Sequence, residues 1–133
     1  MPLGRLDYKQ SYKTIKTILS PINLNQLQMV VEVSQSNWDE ELENIDTPFL
    51  ISFWAGWCGP CQALNPVIED LSEIFAHKIK VCRLNADHDP ALCDAFGVKK
   101  IPALLFVVDK KIVAQYEGFV SKEELEDEIR QYV

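Results

Sequence analysis

Two adjacent patterns near the middle of this 133-residue chain restrict its fold more than anything else in it. Phe49-Leu50-Ile51-Ser52-Phe53-Trp54 is a nearly unbroken apolar run of strand length, the composition of a central strand covered on both faces. Trp57-Cys58-Gly59-Pro60-Cys61 follows, and from Cys61 the apolar residues Leu64, Val67, Ile68, Leu71, Ile74 and Phe75 recur at intervals of three and four. That spacing is one face of a long helix, with Pro66 placed to kink it. A buried strand that turns directly into such a helix needs a layered sheet around it.

The flanking elements supply that sheet. Met29 to Val33 reads as a first strand, and Ser36 as the cap of a short helix through about Asn44, with Asp39, Glu40 and Glu41 suited to its N-terminal dipole. Lys78 to Leu84 is a third strand, and Pro90 to Phe96 a short helix closed by Gly97. Ala103 to Val108 and Ile112 to Tyr116 form an antiparallel pair across Asp109-Lys110, a less favourable turn than Asn-Gly. Ser121 with Glu124 makes a capping box, and Leu125, Ile129 and Tyr132 give the last helix a buried stripe. The order βαβαβαββα predicts an α/β fold, a central mixed sheet flanked by helices on both faces.

Residues 1–26 stand apart from this pattern. Tyr8, Tyr12, Ile15 and Leu19 recur at helical spacing beside Lys9, Lys13 and Lys16, and Pro21 ends the run. The expectation is a basic N-terminal extension over 1–26, whose spacing allows a short amphipathic helix that either packs on its own domain or docks to an acidic partner or membrane surface, ahead of a single domain over 27–133. The extension carries a net +3 within a chain of net −7, and no Lys or Arg falls between Thr17 and His77. So acidic a body lacks the electrostatic footprint for phosphate backbones, so no nucleic-acid partner is expected. No apolar run is long enough to cross a bilayer, and Lys9, Lys13 and Lys16 interrupt any signal-peptide core. These features predict a cytoplasmic protein with no transmembrane segment.

Four cysteines, two of them separated by only two residues, do not resemble the framework of a small secreted domain. Placed at the start of a helix, Cys58 meets free N–H groups and the positive end of the dipole, which favour its thiolate and make it the expected nucleophile. Cys61, one turn on, is expected to be more buried and to act as the resolving thiol. Pro60 suits the first turn, where no backbone donor is lost. A zinc site would need a second ligand pair, and Cys82, Cys93, His77 and His88 show no such spacing. No metal or other cofactor is expected beyond a redox-active Cys58–Cys61 disulfide. Cys82 reads as a small buried hydrophobe, and Cys93 as structural or as a regulatory thiol.

Taken together, Phe53 through Cys61, Pro66, Asn85-Ala86-Asp87, Gly97-Val98, Ile101-Pro102 and Gly118 resemble the thioredoxin family, without gaps from the active-site strand to the C-terminus. The resemblance implies a thioredoxin fold and a protein-disulfide reductase, in which Cys58 attacks a client disulfide and Cys61 resolves the mixed disulfide. It implies a cis-proline at Pro102 and a client-binding surface of Trp57, Ile101, Pro102 and Gly118, enlarged by Phe119. Trp57, Gly59 and Pro60 would tune the redox pair. It further implies disulfide-containing client proteins, a thioredoxin reductase as electron donor and a monomeric state.

The sequence departs from the family beneath the motif. The buried Asp that usually precedes it, thought to take the proton of the resolving cysteine, is matched by Ser52, and the accompanying Lys by Arg83. Both positions are candidates for redox tuning. The position after Cys61, often Lys, is Gln62. These departures leave a second reading, a specialised thioredoxin-like binding module with weak or no general reductase activity.

Overall fold

The computed structural model describes residues 29–133, so the helix expected around Tyr8 to Leu19 lies outside the described residues. Five strands form one sheet in the order β1-β3-β2-β4-β5: β1 (Val30–Val33), β2 (Phe49–Trp54), β3 (Lys80–Asn85), β4 (Ala103–Val108) and β5 (Lys111–Glu117). The first three are parallel, and β4 and β5 are antiparallel to their neighbours. The four helical elements are α1 (Asp39–Glu43), α2 (Gly59–Ile74), α3 (Pro90–Ala95) and α4 (Lys122–Arg130). This is the mixed α/β architecture that the sequence pattern predicts, and it has the thioredoxin fold that the resemblance implies.

Period-two alternation on the strands divides the core into two layers. Phe49, Ile51 and Phe53 of β2 point to the side where Leu42 of α1 and Cys93 of α3 pack, with Trp38 and Phe96 in contact at a ring separation of 5.3 Å. Leu50 of β2, Val81 of β3, and Leu104 and Phe106 of β4 point to the other side, onto Leu64, Ile68 and Leu71 of α2 and Leu125 and Ile129 of α4. The central strand is buried along almost its whole length, as an apolar run covered on both faces must be.

Several boundaries differ from the sequence expectation. Ser36 does not cap α1: its hydroxyl bonds that of Ser34, while the Asn37 side-chain oxygen accepts the Ser34 N–H at 2.7 Å and folds these residues into a turn. The element then begins only at Asp39 and is one wide turn closed by Asn44 N–H to Asp39 C=O. Strand β3 starts two residues late, because Lys78 and Ile79 donate back to the Phe75 carbonyl around His77, whose φ is 68°. Tyr132 lies beyond the end of α4 and is partly exposed, although its ring meets Phe106 at 5.7 Å. Ile74, assigned to the apolar face of α2, is exposed as well. The β4–β5 turn places both Asp109 and Lys110 at positive φ, the conformation for which Asn-Gly would be better suited.

Candidate active site at the end of the central strand

The site forms where β2 ends, because Cys58 is the N-cap of α2, bringing the end of the strand and the start of the helix together. Cys58 and Cys61 are joined by a disulfide with Cα atoms 5.3 Å apart, and the Cys58 sulfur accepts the Cys61 N–H at 3.2 Å. That contact satisfies one of the free donors of the first turn, and Pro60 within the same turn removes another. The expected difference in burial is not found: the two cysteines are 4% and 3% exposed.

Trp57, the residue before Cys58, is 72% exposed, and its indole N–H donates to Asp87 at 3.0 Å. Asp87 is held in turn by a bond from its own N–H to the Asn85 side chain, at the end of β3. The Trp57–Asp87 contact joins positions thirty residues apart, and nothing in the local sequence announces it.

Strand register brings the remaining surface residues to the same end. Ala103 pairs with Phe53, so the Ile101-Pro102 segment just before β4 lies beside the end of β2. The Ile101–Pro102 bond is cis, and the Pro102 carbonyl accepts the Gly118 N–H at 2.8 Å. Gly118 has φ of 82°, a conformation for which glycine is favoured. Trp57 and Ile101 share the wall of a shallow cavity of about 490 Å³, whose lining also includes Cys93, Lys99 and Lys100. Phe119 is 56% exposed. Apolar residues from three chain segments thus come to the same end of the sheet as the nearly buried disulfide.

Two residues before the end of β2, Ser52 is buried and paired in register with Arg83 on β3, and Arg83 with Glu32 on β1. The Arg83 guanidinium lies 4.3 Å from the centre of the Trp54 ring and 3.9 Å from the Glu32 carboxylate. Burial raises the Glu32 carboxyl above its ordinary range, against the opposing pull of Arg83, the Trp54 indole and His88. The Arg83 Nε is buried without a hydrogen-bond partner. The sequence reading paired Arg83 with Ser52 and overlooked Glu32. The available signal was a lone acid in the otherwise apolar Val30–Val33 run.

Of the other thiols, Cys82 is fully buried and its pKa is pushed up to about 12, chiefly by burial. Cys93 is also buried, and burial followed by Asp94 and Asp89 raises its thiol above the usual range. Neither forms a disulfide.

Comparison with known proteins gives a consistent result. The thioredoxin family model matches residues 29–131. Thioredoxin of Haemophilus influenzae is 36% identical over 104 residues, 78% of this chain and 97% of that protein. Thioredoxin of Porphyra purpurea is 34% identical, with the same coverage of both chains. The chloroplastic M-type thioredoxin of Pisum sativum is 36% identical over 110 residues, 83% of this chain and 62% of its own length.

Proposed function

This chain belongs to the thioredoxin family and is a protein thiol–disulfide oxidoreductase, and from that membership we propose that it works as a general reductant of client disulfides, with Cys58 as nucleophile and Cys61 as resolving thiol. The carrying observation is the disulfide at the start of α2, with Cys58 as its N-cap. In the reduced protein, the Cys58 thiolate attacks one sulfur of a client disulfide, and the client's other sulfur leaves as a thiolate. Cys61 then attacks the Cys58 sulfur, the bond to the client breaks, and the protein is left oxidised as the client gains two electrons and two protons. Trp57, Ile101, Pro102, Gly118 and Phe119 supply the apolar surface on which an extended client segment docks by main-chain hydrogen bonds.

A flavin- or ferredoxin-dependent thioredoxin reductase is the proposed electron donor, and the monomer the proposed working form. The cytoplasm is the proposed compartment. Two unpaired cysteines, Cys82 and Cys93, fit a reducing environment.

The test is a pair of variants against an insulin-type disulfide substrate. Cys58→Ser is expected to abolish reduction, while Cys61→Ser accumulates covalent mixed disulfides detectable by mass spectrometry. Reversed phenotypes would overturn the roles, and an inactive wild type would favour the binding-module reading.

A further inference from the structure

The described residues carry nine Lys and Arg against nineteen Asp and Glu, so the placement of each free cation matters. Five of the nine are held. Lys80 pairs with Glu41, Arg83 with Glu32, Lys122 with Asp70 and Arg130 with Glu126, and Lys110 donates to the Glu43 carbonyl. Of the other four, Lys78 and Lys111 lie at the end of the sheet away from the dithiol, where β3 and β5 begin. Lys99 and Lys100 lie at the dithiol end. Among the described residues neither makes an ion pair or a side-chain hydrogen bond, and both are exposed.

The backbone of this lysine pair is fixed on both sides. After α3 the chain turns at Gly97, with φ of 68°, and the buried Val98 returns its N–H to the Cys93 carbonyl at 2.8 Å. Pro102, three residues beyond Lys99, is buried where β4 is about to begin. The two ammonium groups therefore project from an anchored segment, and they share the wall of the 490 Å³ cavity with Trp57 and Ile101. Asp94 is the one acid on that wall, which leaves it with a net +1. Asp87 and Asp89, on the loop before α3, are occupied by the Trp57 indole N–H and the Gln35 N–H.

We propose that Lys99 and Lys100 set the class of client taken at this site: the segment that docks on Trp57 and Ile101 carries Asp or Glu within about three residues of its reactive cysteine. The proposal deepens the reductase reading and rests on it. An extended segment advances about 3.3 Å per residue, and Lys99 is about 10 Å of chain from Pro102, so a carboxylate at that spacing meets the ammonium groups. Charges beyond the Debye length, about 8 Å at physiological salt, are screened, so the pair at the contact outweighs acids spread over the rest of the chain. An uncharged segment gains nothing there, and a basic one is repelled.

The probes are short peptides of one length, each with a single cysteine joined by a disulfide to an aromatic thiol. Glu, Gln or Lys occupies the two positions on either side of that cysteine. Cys58 of the reduced full chain attacks the peptide sulfur, the peptide–aryl disulfide breaks, and the coloured aromatic thiolate leaves. Each stopped-flow rate constant is divided by that of a small neutral thiol with the same peptide, which removes the peptide's own reactivity. At about 0.1 M salt, wild type is expected to favour the Glu peptide over the Gln peptide about fivefold, the worth of two exposed charge contacts, with the Lys peptide slowest. At about 1 M salt, where the Debye length is about 3 Å, the three should converge. Lys99→Gln with Lys100→Gln should remove the preference at every salt concentration, and Lys99→Glu with Lys100→Glu should reverse it. Equal normalised rates for wild type would overturn the proposal, as would a preference that survives the double Gln substitution. Should a variant fail to fold, the wild-type salt series still decides, because a Glu preference that persists at 1 M is not electrostatic. Absence of colour release from every peptide would count against the reductase reading itself, whereas equal release from all three would leave that reading standing and remove this one.

Discussion

Cys82 shows how one buried thiol makes the whole protein sensitive to alkali. Its folded-state pKa, about 12, lies above the ordinary value of 9.0 that it regains on unfolding. A group with a raised folded pKa contributes stability that is fully present below the unfolded value and is lost as pH rises through the window between the two. Here that window opens at 9.0 and extends toward 12. Within it the unfolded chain releases a proton that the folded one retains, at up to about 1.4 kcal/mol per pH unit. Cys82→Ala is expected to be less stable than wild type at neutral pH, because a small void opens in a packed layer, yet to lose less stability between pH 8 and pH 10.5. Urea denaturation of both proteins at the two pH values checks this, and parallel losses would mean that Cys82 is not the group that titrates. A thiol held protonated in this way is slow to alkylate, so an alkylating agent should label Cys58 of the reduced protein, at the start of α2, well before Cys82.

At the scale of elements, the most legible parts were those whose signals are local and periodic. The α2 stripe, the buried β2 run, and the Cys58 N-cap with Pro60 in the first turn all depend on neighbours within a few residues, which the sequence places in order. Where competing local bonds decide, the reading failed: Asn37 captured the turn before α1, and Ser36 lost its role as a cap. Contacts across strands were hidden for a different reason. Glu32 meets Arg83, and Trp57 meets Asp87, only because a particular register and strand order place them together, and neither is encoded in spacing along one segment. The cap of α4 was legible and offers a test. The Ser121 hydroxyl accepts the Glu124 N–H at 3.2 Å, which is the forward half of the capping box. Ser121→Ala should cost about 1 kcal/mol of unfolding free energy. It should leave disulfide reduction intact, because the Ser121 hydroxyl bonds only the first turn of its own helix and neither it nor Glu124 belongs to the dithiol or the client surface. A loss of activity at unchanged stability would show that α4 influences the site.

For the molecule as a whole, the decisive property is that both core layers close within the described residues. One layer is completed by α1 and α3 and the other by α2 and α4, and the five strands between them run from Val30 to Glu117. Every group assigned to redox chemistry or client docking lies between Glu32 and Phe119, on strands and helix ends fixed by those layers. Residues 1–26 add a net +3 to a chain whose overall charge is −7, so the remaining residues carry −10. A tail of opposite sign to the body is suited to altering encounters with charged clients, an effect that fades as salt screens it. Removal of residues 1–26 is therefore expected to leave unfolding free energy within about 0.5 kcal/mol of the full chain. Resolution by Cys61 should be unaffected, because the dithiol sits at the start of α2, inside the residues that remain. The expected change is confined to the rate of reducing charged client proteins, and it should vanish at high ionic strength while the rate with a small neutral disulfide stays constant. Urea titration and reduction kinetics at two salt concentrations, on the full chain and on residues 27–133, make the comparison. A truncated protein that unfolds much more readily would place the N-terminal segment within the core and move the domain boundary proposed at residue 27.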